Sequence, residues 1–331
     1  MLFPFPFAGA REKSAGQTRK PRNMSLLQEL RASAQKLGLT DLGAAAAGPA
    51  QGYERFRAWL DEGNAARMTY LERGAEARRH PESVLPRVRS LLVGVLSLKT
   101  LIDENPSVLP PCSSGGAIVP YAVRRDYHAV LKEKLHTLRA HLAERFPDGR
   151  FRVCVDSAPL LEKEWAHRSG LGSYGRNTLL IHPTAGPAVF LGFLLTTLSL
   201  EELGCAPNDE RRPSVLTDPC GGCRRCLDAC PTGALRENRT LDARRCLNYW
   251  NIEHPGDDIP EDIRARLGGC LFGCDRCQRV CPHSGTLAPP ARVPLETVDK
   301  MTPEEFQTLF DGTPLARLGL ERLQRNARWL R

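Results

Sequence analysis

Long hydrophobic runs are missing from this 331-residue chain. No apolar stretch reaches the roughly 20 residues that a membrane-spanning helix needs, and the longest, 188–200, reads as a buried strand. An export signal is missing too. Residues 1–23, MLFPFPFAGAREKSAGQTRKPRN, run from an apolar start into a basic stretch, whereas a signal peptide places its positive charge first. Met24 is followed at once by a helix start, Ser25 with Gln28 three residues on. Residues 1–23 are therefore expected to be a disordered extension or the product of a start codon placed too early, and the chain is expected in the cytoplasm, away from membranes. Nucleotide loops are absent as well: there is no G-x-x-x-x-G-K-[ST], and GLGSYG at 170–175 matches G-x-G-x-x-G by letters only, because it follows a helix-like stretch and no strand. No tandem repeat is present.

Excess charge is missing from the body of the chain. The formal net charge is +8, but residues 1–23 and 317–331 each hold five basic residues and one acid, which accounts for all of it. The arginines at the C-terminus, Arg317, Arg322, Arg325, Arg328 and Arg331, are weak support for a phosphate-backbone partner. With 41% hydrophobic and 25% charged residues, the composition is that of a globular protein, and the length points to two domains with a small third.

What is present changes character along the chain. Helical spacing covers 25–37, 54–62 and 127–146, the last with Asp126 as a cap and Leu131, Leu135, Leu138 and Leu142 on one face. Residues 161–169 also read as helix. Strands are expected at 90–98, 151–156, 178–181 and 188–198. This alternation suggests an α/β domain over 24–204. Thr302-Pro303-Glu304-Glu305 is a capping box that begins a helical tail, assigned to 291–331.

Between these lies a segment, 205–290, in which nine cysteines fall between Cys220 and Cys281. Something other than a large apolar core must hold it together. The run Cys220-x2-Cys223-x2-Cys226-x3-Cys230-Pro231 has the spacing of a bacterial ferredoxin loop, in which three thiolates wrap one [4Fe–4S] cube and the fourth reaches a second. Cys274-x2-Cys277-x3-Cys281-Pro282 repeats the end of that pattern. Two cubes need about eight thiolates; the runs supply seven, and Cys246 or Cys270 can supply the last, between which spacing does not decide. Disulfides would need an oxidising compartment, and zinc ribbons favour two separated C-x2-C pairs. Two clusters are the reading. Cys112, Cys154 and Cys205 are scattered and read as ordinary residues.

Electron wires of this kind occur in many enzymes, so the reaction must be sought upstream. Asp156 stands at the end of an expected strand in VDSAPLLEKEWAHRSGLGSYGRNTLLI, 155–181. A strand end is a common place for a functional acid, and it is also where an acid caps the following helix.

Here the chain resembles a known family. ARMTYLERGAEARRHPESVLP (66–86), YAVRRDYHAVLKEKL (121–135), the 155–181 segment, FLGFLLTTLSLE (190–201), the ferredoxin run with PTGAL (220–235), LDARRCLNYWNIEH (241–254), GCDRCQRVCP (273–282) and FQTLFDGTPLARLGLERLQRNA (306–327) are together similar to the epoxyqueuosine reductases. The resemblance implies an α/β cobalamin-binding catalytic domain, then a small ferredoxin-like two-cluster domain and a short helical tail, an α+β/α/β chain overall. It implies reduction of epoxyqueuosine to queuosine at the tRNA wobble position, with electrons passed through two [4Fe–4S] clusters from an unidentified donor, by an enzyme expected to be monomeric. Asp156 matches the family's proton donor, which would act as a carboxylic acid held neutral near the buried cofactor. Cys246 matches a ligand; Cys220, Cys223, Cys226 and Cys281 would hold one cube and Cys230, Cys246, Cys274 and Cys277 the other. Cobalamin contacts match Arg78, Asp156, Gly175, Asn177, Leu191, Asn248 and Asp275. Ser173, Tyr174, Arg176, Phe193 and Arg124 depart from the family pattern, several of them around the expected cofactor pocket. Two other readings of the cluster run are a corrinoid iron–sulfur reductase of a small molecule, of the reductive dehalogenase kind, and a non-catalytic two-cluster electron carrier.

Overall fold

A computed structural model describes residues 24–205 and 218–331; the expectation for residues 1–23 lies outside them. The described residues contain nine strands: β1 (Asp41–Ala46), β2 (Ser90–Ser97), β3 (Gly116–Ile118), β4 (Phe151–Cys154), β5 (Ser173–Tyr174), β6 (Leu180–Ile181), β7 (Val189–Thr196), β8 (Cys270–Phe272) and β9 (Ala291–Val293). The main sheet has the order β1-β2-β7-β4. Every pairing in it is antiparallel. The alternation of strands and helices suggested α/β, but the crossovers return each strand against its neighbour, so this part of the chain is α+β.

Both faces of the sheet are covered, which is why β2 reads as a continuous apolar run. Leu92, Leu96 and Leu194 point to one face, under the helices Leu26–Lys36 and Tyr127–Arg145. Leu91, Val93, Val95, Phe193 and Leu195 point to the other, against Trp165 of the helix Glu162–Arg168. Two glycines seat the long helix. Gly94 and Gly192 stand opposite one another across β2 and β7, and a Cβ on Gly192 would lie 2.7 Å from Leu135. The missing side chains let the helix approach the sheet, and its N-terminus carries Tyr127 and His128 to the site described below.

The alternation of β7 also corrects one expectation. Phe193 departs from the family pattern at a position expected around the cofactor pocket, yet it is 0% exposed in the core, because it shares a face with Val93 and Trp165. Phe193→Ala is expected to lower stability by about 3–5 kcal/mol, measured by denaturant unfolding of the cofactor-free protein. Arg124 is accommodated without strain: its φ of −132° is open to any residue.

A second sheet, order β8-β3-β9, is parallel between β3 and β8 and antiparallel between β3 and β9. It shares a core with Phe306, Phe310 and Leu323 of the helices Pro303–Phe310 and Leu320–Trp329. Segments more than 150 residues apart in sequence, Gly116–Ile118 and Cys270–Phe272, thus meet in one core. The capping box forms as read, with Thr302 N–H donating to Glu305 at 2.8 Å and Glu305 N–H to Thr302 at 3.2 Å.

Candidate active site

The site begins at the N-terminus of the helix Tyr127–Arg145. Asp126 caps it, accepting the His128 backbone N–H at 2.9 Å, and the same oxygen lies 2.7 Å from His128 Nδ1. The opposite ring nitrogen, Nε2, lies 3.0 Å from Asp156 Oδ2, and the Tyr127 hydroxyl donates to that oxygen at 3.2 Å. Arg317, from the C-terminal segment, closes the arrangement from behind by pairing with Asp126. Tyr127 is itself fixed by Phe190 of β7, whose ring stacks on it with centroids 4.2 Å apart.

Asp156 does not cap the next helix. β4 ends at Cys154, and Asp156 adopts φ +60°, a left-handed turn in which Asp is tolerated better than most residues. The helix Glu162–Arg168 has Leu161 at its cap position with no side-chain bond. Glu162 instead reaches back, accepting the Asp156 backbone N–H at 3.0 Å. With its backbone turned this way, the Asp156 carboxyl stands 60% exposed, its bonded oxygen held by His128 and Tyr127.

The charge distribution differs from the neutral acid expected at Asp156. The His128 bond holds the Asp156 carboxyl below the ordinary carboxylate range, against burial. Burial opposes a proton on His128, but the bonds to Asp126 and Asp156 outweigh it and raise the imidazole. The ring therefore favours its protonated form more than a free imidazole does, while Arg317 Nη1, 3.1 Å from the same Nε2, opposes it. Glu162 is the neutral acid: burial pushes it up to about 8, and the nearby Asp156 charge adds to that. Burial also pushes Tyr70 up to about 12, with Glu253 and Asp156 contributing. Buried Tyr121 is raised by desolvation and then by Asp156, Glu253, Asp126 and Asp275, which places these carboxylates around one space.

The residues expected at cobalamin lie on several segments. Arg78 is lowered by burial, with Tyr70 and Glu162 opposing that, and donates to the Gly74 carbonyl at 2.8 Å. Leu191 is half-buried on β7, next to Phe190. Asn248 precedes the helical turn Tyr249–Glu253, and Asp275 is ion-paired with Arg279 at 2.7 Å. Gly175 lies in a tight turn where a Cβ would come within 2.5 Å of Asn177 Oδ1. Asn177 Nδ2 and Asn248 Oδ1 are buried with no protein partner. A buried amide left unpaired costs roughly 1–3 kcal/mol, so two such atoms at expected contact positions fit a polar cofactor edge.

The cysteines gather in two groups. A cavity of about 230 Å³ is lined by Cys220, Cys223, Cys226 and Cys281, with Arg176 and Asn177 on its rim. Arg176 donates its backbone N–H to Cys220 Sγ at 3.3 Å and pairs with Glu237 at 2.9 Å; this departure from the family pattern thus borders the cysteines. Tyr174, beside it, accepts from Arg239 at 3.0 Å through its carbonyl, and Ser173 pairs with Ile181 in the β5–β6 hairpin. In the second group, burial pushes the Cys277 thiol up, and Cys274, Cys246 and Cys230 add to it most. Burial takes Cys246 up to about 11, with Cys274 and Cys230 adding and the Asn248 and Tyr249 N–H groups opposing. Cys270 interacts with Cys274 and with Asp275 and Arg276. Cysteine sets of this chemistry fit iron–sulfur cubes, whose iron displaces the thiol protons.

The comparisons with known proteins fall on these same segments. A family model described as "4Fe-4S double cluster binding domain" matches residues 219–284. Another, "Epoxyqueuosine reductase QueG, DUF1730", matches residues 78–157, from Arg78 to just past Asp156. The epoxyqueuosine reductase of Synechococcus sp. (strain CC9605) is 38% identical over 276 residues, 82% of this chain and 80% of its own length. That of Synechococcus sp. (strain RCC307) is 35% identical over 324 residues, 96% and 94% of the two chains. The chain belongs to the epoxyqueuosine reductase family. Among solved structures, an epoxyqueuosine reductase bound to a tRNA-Tyr epoxyqueuosine-modified stem loop superposes with a TM-score of 0.78 at 28% identity, covering 92% of this chain and 80% of that one.

The sequence singles out Asp156 but not the side chains that the structure brings to it. DYH at 126–128 was a signal in plain view: an acid cap, a phenol and an imidazole at successive positions of a helix start. Nothing local indicated that Glu162 or Arg317 would reach them. The C-terminal arginines are also less available than their charge suggests. Arg325 is 1% exposed and donates to the carbonyls of Trp250, His254 and Gly256, Arg322 donates to the Ile252 carbonyl, and Arg331 pairs with Asp299. They tie the tail to the body, so they carry little of the argument for a phosphate partner. No helix among the described residues is long and apolar enough to cross a membrane.

Proposed function

We propose that this chain reduces epoxyqueuosine at the tRNA wobble position to queuosine, in the cytoplasm and as a monomer, with Asp156 as the proton donor to the substrate. The observation that carries the reading is the clasp on Asp156: His128 and Tyr127 hold one carboxyl oxygen at 3.0 and 3.2 Å while the side chain stays 60% exposed. A related enzyme that binds an epoxyqueuosine-modified stem loop supports tRNA as the substrate.

Cys220, Cys223, Cys226 and Cys281 hold one [4Fe–4S] cube, and Cys230, Cys246, Cys274 and Cys277 the other. Arg78, Asp156, Gly175, Asn177, Leu191, Asn248 and Asp275 would hold cobalamin. The chemistry supplied by bound cobalamin is reductive opening of the epoxide, with electrons drawn through the clusters. The chain's own part is proton control. His128, raised by its two carboxylate partners, supplies a proton to Asp156 Oδ2 across their 3.0 Å contact; Asp126 holds Nδ1, and Arg317 pairs with Asp126 and lies 3.1 Å from Nε2; Tyr127 keeps its hydroxyl proton and orients the carboxylate. Fixed groups of this kind need little rearrangement as charge develops on the departing oxygen. A small-molecule reductase or a bare electron carrier is not favoured.

The test is complementation. Cells lacking their own epoxyqueuosine reductase and expressing this chain are expected to convert tRNA epoxyqueuosine to queuosine, read by nucleoside mass spectrometry. Persistence of the epoxide, together with no conversion by the purified, cofactor-loaded and reduced protein, would sink the reading.

A further inference from the structure

Reducing an epoxide to an alkene breaks both C–O bonds, consumes two electrons and releases the oxygen as water, which takes two protons. The reduced cofactors of the established reaction supply the electrons. The Asp156–His128 pair holds one transferable proton, on the ring. The remaining groups around Asp156 are poor sources. The phenols of Tyr127, Tyr121 and Tyr70 are raised by burial and retain their protons. The Asp126 carboxyl is lowered: burial opposes this, and the His128 bonds and Arg317 outweigh it. Glu253 is also raised, by burial against Arg322 with the Asp156 charge adding, but it is exposed and belongs to the turn Tyr249–Glu253, away from the turn that carries Asp156.

We propose that Glu162 carries the second proton of the reduction. Its Oε1 accepts the Asp156 backbone N–H at 3.0 Å, which holds the Glu162 carboxyl against the turn that carries Asp156. Asp156, His128 and Lys163 face it, as do Arg78 and Cys154. Burial keeps it protonated up to about pH 8, with the Asp156 charge assisting. The first proton passes from the Asp156–His128 pair to the epoxide oxygen. Glu162 then passes its proton to the emptied Asp156 carboxylate, which delivers it to the same oxygen as that oxygen leaves as water. Solvent recharges Glu162. This inference rests on the reading of Asp156 as the donor.

Glu162→Gln keeps an oxygen for the Asp156 N–H and carries no acidic proton. With loaded, reduced protein and an epoxyqueuosine-containing stem loop, the variant is expected to turn over about 100-fold more slowly. In the wild type the acid form of Glu162 is present below about pH 8 and lost above it, so kcat/KM falls on the alkaline side through Glu162 and His128 together; in the variant only the His128 contribution remains and the fall is shallower. A second readout needs no cofactor: the infrared C=O stretch of a protonated carboxyl, present at neutral pH in the wild type and lost on raising the pH, is absent from Glu162→Gln. Wild-type turnover in the variant, or an alkaline profile and infrared band left unchanged by the substitution, would overturn the proposal. Failure of the wild type to convert the stem loop overturns the functional reading instead, and the infrared band still reports on Glu162 in that case.

Discussion

Asp156→Asn is expected to retain about eight irons per chain and to bind cobalamin, while turnover falls by about 10²–10⁴-fold. The substitution isolates chemistry from folding. Asp156 sits at φ +60°, a conformation that Asn tolerates as well as Asp, so the turn between β4 and the helix Glu162–Arg168 survives. Asn also offers an oxygen to the Tyr127 hydroxyl and to His128 Nε2, and its backbone N–H still reaches Glu162. What it cannot do is carry a negative charge or receive a proton.

The pH dependence follows with a definite sign. His128 is raised by its bonds to Asp126 and Asp156, against burial, so its proton is present at low pH and lost as pH rises through the elevated value. Activity in the wild type falls in that direction. In Asp156→Asn one of the two supports is gone, and the ring titrates at lower pH, observable as an acid shift of the His128 resonance by NMR. Unchanged turnover in the variant would remove Asp156 from its role; an unmoved His128 titration would show that the pair is not coupled.

Legibility in the sequence tracked how local each feature is. The helix Tyr127–Arg145 and the Thr302 capping box were readable because spacing and caps are set within a few residues. The cysteine runs were readable because a cube binds thiolates at short fixed intervals. Strand order was not, because pairing β7 between β2 and β4 depends on crossovers that periodicity does not encode. Phe193 shows the same limit in one residue: its departure from the family pattern was visible, and only the register of β7 tells which face it takes. Arg317 meets Asp126 across 191 residues, a contact with no local signature, and Glu162 was hidden by looking like an ordinary first-turn acid.

The choice between Cys246 and Cys270 is where the spacing stopped, and the structure separates their surroundings. Cys246 follows the short turn Ala243–Arg245, its thiol is buried, and the neighbours that bear on it are Cys274 and Cys230. Cys277 feels those two and Cys246 together, so four thiols face one another. Cys270 belongs to β8, opposite Ala117 in the sheet, and lines a cavity of about 380 Å³ with Cys274, Asp275, Arg276 and Arg292, a cavity that Cys230, Cys246 and Cys277 do not line. It touches the group only through Cys274. Cys246→Ala is therefore expected to lose one cube, lowering anaerobically measured iron from about eight to about four per chain, with a matching loss of the reduced-cluster signal in electron paramagnetic resonance. Cys270→Ala is expected to keep about eight irons and full turnover. The reverse pattern would make Cys270 the eighth ligand, and zinc in place of iron in the unmodified protein would overturn both cubes. Because a cube missing one thiolate also leaves Cys230, Cys274 and Cys277 without their common partner, Cys246→Ala should loosen the segment around β8, seen as faster amide exchange there than in Cys270→Ala.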